Sequence, residues 1–262
     1  MKRILALMLA LLLLCTLVAC NKEQIEEDDE SGVNMTVENN DKVYVAEGDF
    51  NDRFTYEYLR GDEVAIIGFE ADDALHAITI PSVIDDRPVT RIDDRAFYHM
   101  TNLTGVAIPE SVTEIGDQAF AKCSALTSVL MPANLISIGK ATFAGCSALV
   151  TVAIPATVTE IGDSAFVGCA SLTSIALPDA VKVIGEYMFM NCVKLTTVTW
   201  STQLEKIEKF AFCGCAALTV SAFPTTLTGI GEYAFTECAS VVKPALPDNA
   251  IGTNAFYVTP AV

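Results

Sequence analysis

Phenylalanine returns every 23 residues along most of this chain. Phe97, Phe120, Phe143, Phe166, Phe189, Phe212 and Phe235 are each 23 apart, and Phe256 follows after 21. Other columns keep the same step. Three residues after a Phe stand Cys123, Cys146, Cys169, Cys192, Cys215 and Cys238. Six after it come Leu103, Leu126, Leu149, Leu172, Leu195 and Leu218, with Val241 in the last unit. Pro109, Pro132, Pro155, Pro178, Pro224 and Pro247 lie twelve after it, and Ile115, Ile138, Ile161, Ile184, Ile207 and Ile230 stand five before the next Phe. Self-similarity at such a period marks a stack of supersecondary units.

The unit reads Ala-Phe-x-x-Cys-x-x-Leu-x-x-Val-x-Ile-Pro-x-x-Val-x-x-Ile-Gly-x-x. Val-x-Ile, as in Val106-Ala107-Ile108, has the period of a half-buried strand. Proline ends it, because it cannot donate to a ladder. Val-x-x-Ile-Gly then turns back along the other side, with Gly116, Gly139, Gly162, Gly185 and Gly231 expected to supply backbone angles that other residues resist. Ala-Phe-x-x-Cys predicts a single helical turn with Phe and Cys on one face. One such unit buries nothing alone, whereas stacked units share a continuous core. The expected fold is a solenoid, mainly β by content, with 23-residue rungs in parallel sheet joined by short helical turns.

The unit resembles the BspA-type leucine-rich repeat, a bacterial subclass, over roughly Phe54 to Phe256. Ile78-Thr79-Ile80-Pro81-Ser82, Ile84 and Pro88-Val89-Thr90-Arg91-Ile92 resemble that family's first rung. Departures are Met100 for the first Cys, Ser201 for a Pro, Glu208 for a Gly and Pro244 at a strand position. No C-terminal cap is evident after Phe256. The resemblance implies a leucine-rich-repeat solenoid on a cell-surface or secreted protein, some relatives being adhesins for host matrix proteins or other bacteria.

The N-terminus carries a different signal. Lys2 and Arg3 precede the apolar run Ile4 to Leu14, and Leu17-Val18-Ala19-Cys20 resembles a bacterial lipobox, so 1–19 is expected to be a lipoprotein signal and Cys20 the lipidated residue. The apolar stretch falls short of the roughly 20 residues needed to span a bilayer. Residues 20–52 are rich in acids, including Glu26-Glu27-Asp28-Asp29-Glu30, and read as a solvated tether. Residues 53–96 form an entry rung or cap, and 97–262 hold the repeats. The expected location is the bacterial cell surface, with membrane contact through the lipid anchor only. A net charge of −17 argues against nucleic acid as partner.

Nine cysteines in an exported chain would ordinarily suggest disulfides. Six of them share one core column, where a free thiol behaves as a small hydrophobe, so packed thiols are expected. Cys213-Gly214-Cys215 lacks the further ligands a zinc site needs. Only His76 and His99 exist, neither in a nucleophile or metal motif. The acid pairs Asp85-Asp86 and Asp93-Asp94 are the remaining catalytic candidates, and solvated loop acids carry little weight. No enzyme, cofactor or metal is expected.

The strand's outward residues define the candidate binding face: Ser128, Leu130, Thr151, Ala153, Ser174, Ala176, Thr197 and Thr199. By the same alternation its two rows extend to Gly105 and Ala107 at one end, and to Val220, Ala222, Lys243 and Ala245 at the other. Leu130 projects from this shallow strip, and Trp200 is expected to point inward. The favoured function is a protein-binding module, with a matrix or bacterial surface protein as ligand. The alternatives are a glycan binder, for which Tyr187, Phe210, Tyr233 and Tyr257 are the available aromatics, and an envelope spacer.

Overall fold

The structure is a computed structural model that describes residues 53–70 and 76–259; the signal peptide, Cys20 and the acidic tether lie outside the described residues. Each rung lays down two short strands and one turn segment. On the first face, Ala77–Thr79, Gly105–Ala107 and Ser128–Leu130 pair in parallel, with Ile78, Val106 and Val129 in register. Ser174–Ala176 pairs likewise with Thr197–Thr199, and Thr219–Val220 with Ser240–Val241. On the second face Arg87–Ile92, Glu114–Ile115, Ser137–Ile138 and Glu160–Ile161 form one parallel ladder. Val183–Ile184, Lys206–Ile207 and Gly229–Ile230 form another. The pairing register reproduces the 23-residue step, so the sequence period is the rung.

The core runs lengthwise between the faces. Phe97 through Phe256 stack ring on ring, with centroids 4.9 to 5.6 Å apart and planes within 16° of parallel. At the N-terminal end Phe54 and Phe69 close the column against Phe97. They sit on the antiparallel strands Phe54–Leu59 and Glu63–Phe69, the second of which runs parallel to Arg87–Ile92.

The connection between faces explains the proline column. The carbonyl of Pro109, Pro132, Pro155, Pro178 or Pro224 accepts the amide three residues on, closing a reverse turn at the corner. Where Ser201 replaces proline, its hydroxyl bonds the Asp179 carbonyl of the previous rung and accepts the Gln203 amide.

The Ala-Phe-x-x-Cys segment is not a turn of helix. It is a run of reverse turns: in one rung Ala119, Ala121 and Cys123 donate to the carbonyls three residues back, and Gln118 and Lys122 between them take positive φ. The amides of Gln118, Phe120 and Lys122 point instead to carbonyls of the next rung, those of Lys140, Thr142 and Ala144. Helical i→i+4 bonding would consume those donors within the rung. Turning them outward makes this column a third inter-rung ladder, while Phe and Cys still face inward.

The glycine column also has a different cause from the one expected. Gly116, Gly139, Gly162 and Gly231 do not take positive φ. A Cβ at Gly139 would instead lie 2.6 Å from the carbonyl carbon of Gly116, and one at Gly162 would lie 2.5 Å from the Lys140 nitrogen. Close approach of successive rungs excludes the side chain, not the backbone angle.

Candidate functional site

The first face presents the strip expected from strand alternation. Thr151, Ala153, Ser174, Ala176, Thr197 and Thr199 are exposed, Ser128 is half-buried, and Leu130 stands out at 40% exposure. None of these carries charge, in a chain of net charge −17. The strip is not a continuous sheet, because Thr151–Ile154 joins neither neighbouring strand. It also ends differently. Val220 is buried at 4% while Thr219 and Ser221 are exposed. Thr219 keeps the 23-residue step to Thr196, but Val220 turns inward and pairs with Val241 at a separation of 21 instead of 23. Val220 therefore leaves the outward row, while Ala222 stays exposed.

Trp200 packs inward, edge-on to Phe212 at 5.7 Å and tilted on Phe223 at 5.5 Å. Along the edge of the turn column, Tyr187, Phe210 and Tyr233 stack on one another at 5.2 and 4.9 Å. The three rings are half-buried, and their faces are turned to each other along the stack. Tyr257 is exposed and stands outside this stack. The second face bears a shallow groove of about 440 Å³, floored by Gly116, Gly139 and Gly162 and flanked by Glu114, Asp117, Lys140 and Glu160.

The candidate acids are occupied structurally. Asp85 and Asp86, both at positive φ, are the two-residue turn between Val83–Ile84 and Arg87–Ile92, the geometry of a type I′ hairpin. Asp85 accepts the hydroxyls of Tyr58 at 2.6 Å and Tyr56 at 2.8 Å. Those bonds hold its carboxyl below the usual range, and the bond to Asp85 pushes the Tyr56 phenol up to about 12. Asp93 accepts Arg91 and the Asp94 amide, and Asp94 caps the Asp117 amide of the next rung. His76 lies near the Asn102 carbonyl, and His99 occupies a positive-φ turn position with its side chain exposed.

The cysteine column has a role that composition did not reveal. Each Sγ donates to the carbonyl of the Phe 26 residues earlier: Cys123 to Phe97 at 3.1 Å, Cys146 to Phe120 at 3.2 Å, and so on to Cys238 and Phe212 at 3.1 Å. All six are free thiols. Burial pushes them up, to about 12 at Cys123, Cys192 and Cys238, so the thiol keeps the proton it donates. Cys213 is half-buried beside Glu237 and belongs to no column.

Stacked parallel rungs with inward Leu, Ile, Phe and Cys, carrying an outward strip of small residues, define a leucine-rich-repeat solenoid. The chain belongs to the BspA type leucine rich repeat family, whose sequence model matches in six copies over residues 68–192 and 145–261. It is similar to a solved leucine rich repeat protein of T. pallidum, at 29% identity and TM-score 0.68, over 76% of this chain and 90% of that one. A leucine rich cell surface protein of Faecalibacterium prausnitzii is 32% identical with TM-score 0.67, over 74% of this chain and 53% of that one. A leucine-rich repeat protein of Bacteroides ovatus is 29% identical with TM-score 0.61, over 79% and 61%. No curated protein matches the chain. Among the described residues no helix is long and apolar enough to cross a membrane.

Proposed function

We propose that this chain is an exported lipoprotein, anchored through Cys20, that displays a protein-binding solenoid at a bacterial cell surface and serves there as an adhesin. The observation that carries the reading is the uncharged strip Ser128, Leu130, Thr151, Ala153, Ser174, Ala176, Thr197 and Thr199 in a strongly acidic chain. Small side chains let a partner approach the sheet closely. Leu130 supplies the kind of projecting apolar anchor on which interface energy concentrates. The lipobox-like Leu17-Val18-Ala19-Cys20 and the surface location stated for the Faecalibacterium relative support export.

A glycan ligand is the alternative. It is less favoured because sugars stack on open ring faces, and Tyr187, Phe210 and Tyr233 turn theirs to one another. The test is binding of the compact unit Asp49–Val262 to arrays of matrix proteins, bacterial surface proteins and glycans. A protein hit weakened at least tenfold by Leu130→Glu, about 1.4 kcal/mol, with the melting curve unchanged, is the expected result. A glycan-only hit would promote the alternative, and silence on every array would favour a spacer. Labelling with radioactive palmitate, lost in Cys20→Ala, tests the anchor.

A further inference from the structure

Neighbouring rungs are normally joined along three lines: the first-face strands, the second-face strands and the turn column. The turn column never breaks. Its bonds run from Phe97 to Ala119 through to Phe235 to Ala255, one set at every junction. The two faces do break, and the rung 150–162 is the one where both do so: the first face towards the rung before it, the second face towards the rung after it. First-face strand pairing is interrupted once more, between Thr197–Thr199 and Thr219–Val220. On the first face Thr127 donates to Thr104 of the preceding rung, and Thr173, Thr196 and Thr219 repeat this bond on later rungs. Among the described residues Val150 makes no such bond to Thr127, and Thr151–Ile154 pairs with neither Ser128–Leu130 nor Ser174–Ala176. On the second face Gly116, Gly139, Gly162, Glu208, Gly231 and Gly252 each donate to the isoleucine carbonyl of the rung before, and Gly185 makes no such bond to Ile161.

Two further observations mark the second-face junction between Ile161 and Gly185. The first is steric. A Cβ at Gly162 or Gly231 would meet backbone at 2.5 Å, yet one at Gly185 would meet only the flexible Asp163 carboxylate that closely, the nearest backbone atom being 3.4 Å away. The rungs therefore stand further apart at this junction. The second is solvent access. Ile161 is half-buried, whereas Ile115, Ile138, Ile184, Ile207 and Ile230 in the same column are buried.

The sequence offers a cause. Thr104, Thr127, Thr173, Thr196 and Thr219 form a column whose hydroxyls each donate to a carbonyl of the rung before. Val150 occupies the same column and has no hydroxyl. Its rung thus loses a side-chain bond at the very junction where the backbone bond is missing. The continuous elements across the region are the turn column, with Ser164, Phe166 and Gly168 bonded to Glu186, Met188 and Met190, and the Phe143–Phe166–Phe189 stack.

We propose that the rung 150–162 is a built-in seam, at which the solenoid flexes about the turn column: its first-face strand pairs with neither neighbour and keeps only the Thr173 bonds to Val150, and its second face is open towards the rung after it. The seam lies beneath the middle of the exposed strip, with Leu130 on one side and Ala176 on the other, so bending there changes the pitch between its two halves. The proposal does not depend on which ligand the strip takes.

Hydrogen–deuterium exchange of the full chain tests it, since local opening is read as loss of amide protection. The amides of Val150, Lys182 and Gly185 are expected to exchange about tenfold or more faster than their counterparts one rung away, Thr127, Glu205 and Glu208. Equal protection along the whole stack overturns the seam. In Val150→Thr the restored hydroxyl is expected to bring amide 150 to within about threefold of Thr127. Unchanged exchange at residue 150 in that variant overturns the cause assigned to the missing hydroxyl.

Discussion

Replacing Phe166 by alanine removes a ring from the middle of the core column. Phe166 is fully buried, between Phe143 at 5.5 Å and Phe189 at 5.6 Å, parallel to both within 10°. The cost of such a truncation depends on whether the surroundings can collapse into the space. Here they cannot easily do so. The gap between the flanking rings would be about 11 Å, and the rungs that carry them are pinned by the bonds from Phe143 to Ala165 at 2.8 Å and from Phe166 to Met188 at 3.0 Å. Truncation of a buried Phe costs about 3–5 kcal/mol, and two lost ring contacts with no collapse place this site in the upper half, at about 4–5 kcal/mol. Phe256 has one ring neighbour, Phe235 at 5.3 Å, and is only half-buried, so the same change there is expected to cost about 2 kcal/mol. Urea unfolding followed by the fluorescence of Trp200, the only tryptophan, measures both. The corresponding fall in Tm for Phe166→Ala is about 8–20 °C for a unit of this size. If Phe166→Ala costs no more than Phe256→Ala, the rings are not one continuous core and the packing argument fails.

Two other perturbations follow from the same architecture. Gly139→Ala puts a Cβ into the backbone of the rung before, at 2.6 Å from Gly116, and is expected to cost about 2–3 kcal/mol. Gly185→Ala meets only the movable Asp163 side chain that closely and should stay within about 1 kcal/mol of the parent; equal losses in thermal melts would refute the close-approach explanation. The buried thiols give stability a pH dependence. Their folded pKa is raised from 9.0 to about 12 at Cys192, so above pH 9 the unfolded chain sheds a proton that the folded chain keeps. Stability is therefore fully present below pH 9 and declines as pH rises from 9 towards 12, by up to about 1.4 kcal/mol per pH unit for each thiol. Urea midpoints between pH 7 and 10.5 should fall less steeply in Cys192→Ala than in the parent, and parallel curves would contradict this account.

The sequence by itself determined the rung and its columns. A period of 23 in Phe, Cys, Leu, Pro and Ile says which residues face inward, because burial repeats with the backbone path. Strand alternation likewise identified Leu130 as outward and Trp200 as inward. What the sequence could not supply is anything that depends on how one rung sits on the next. The reason for the glycine column, the Phe carbonyl that each Cys thiol meets, the outward-turned amides of the turn column and the altered pairing of Val220 with Val241 all arise between segments more than 20 residues apart. Tertiary structure decided them, because a local pattern records which side chains are hidden from water but not the distance between the backbones that hide them.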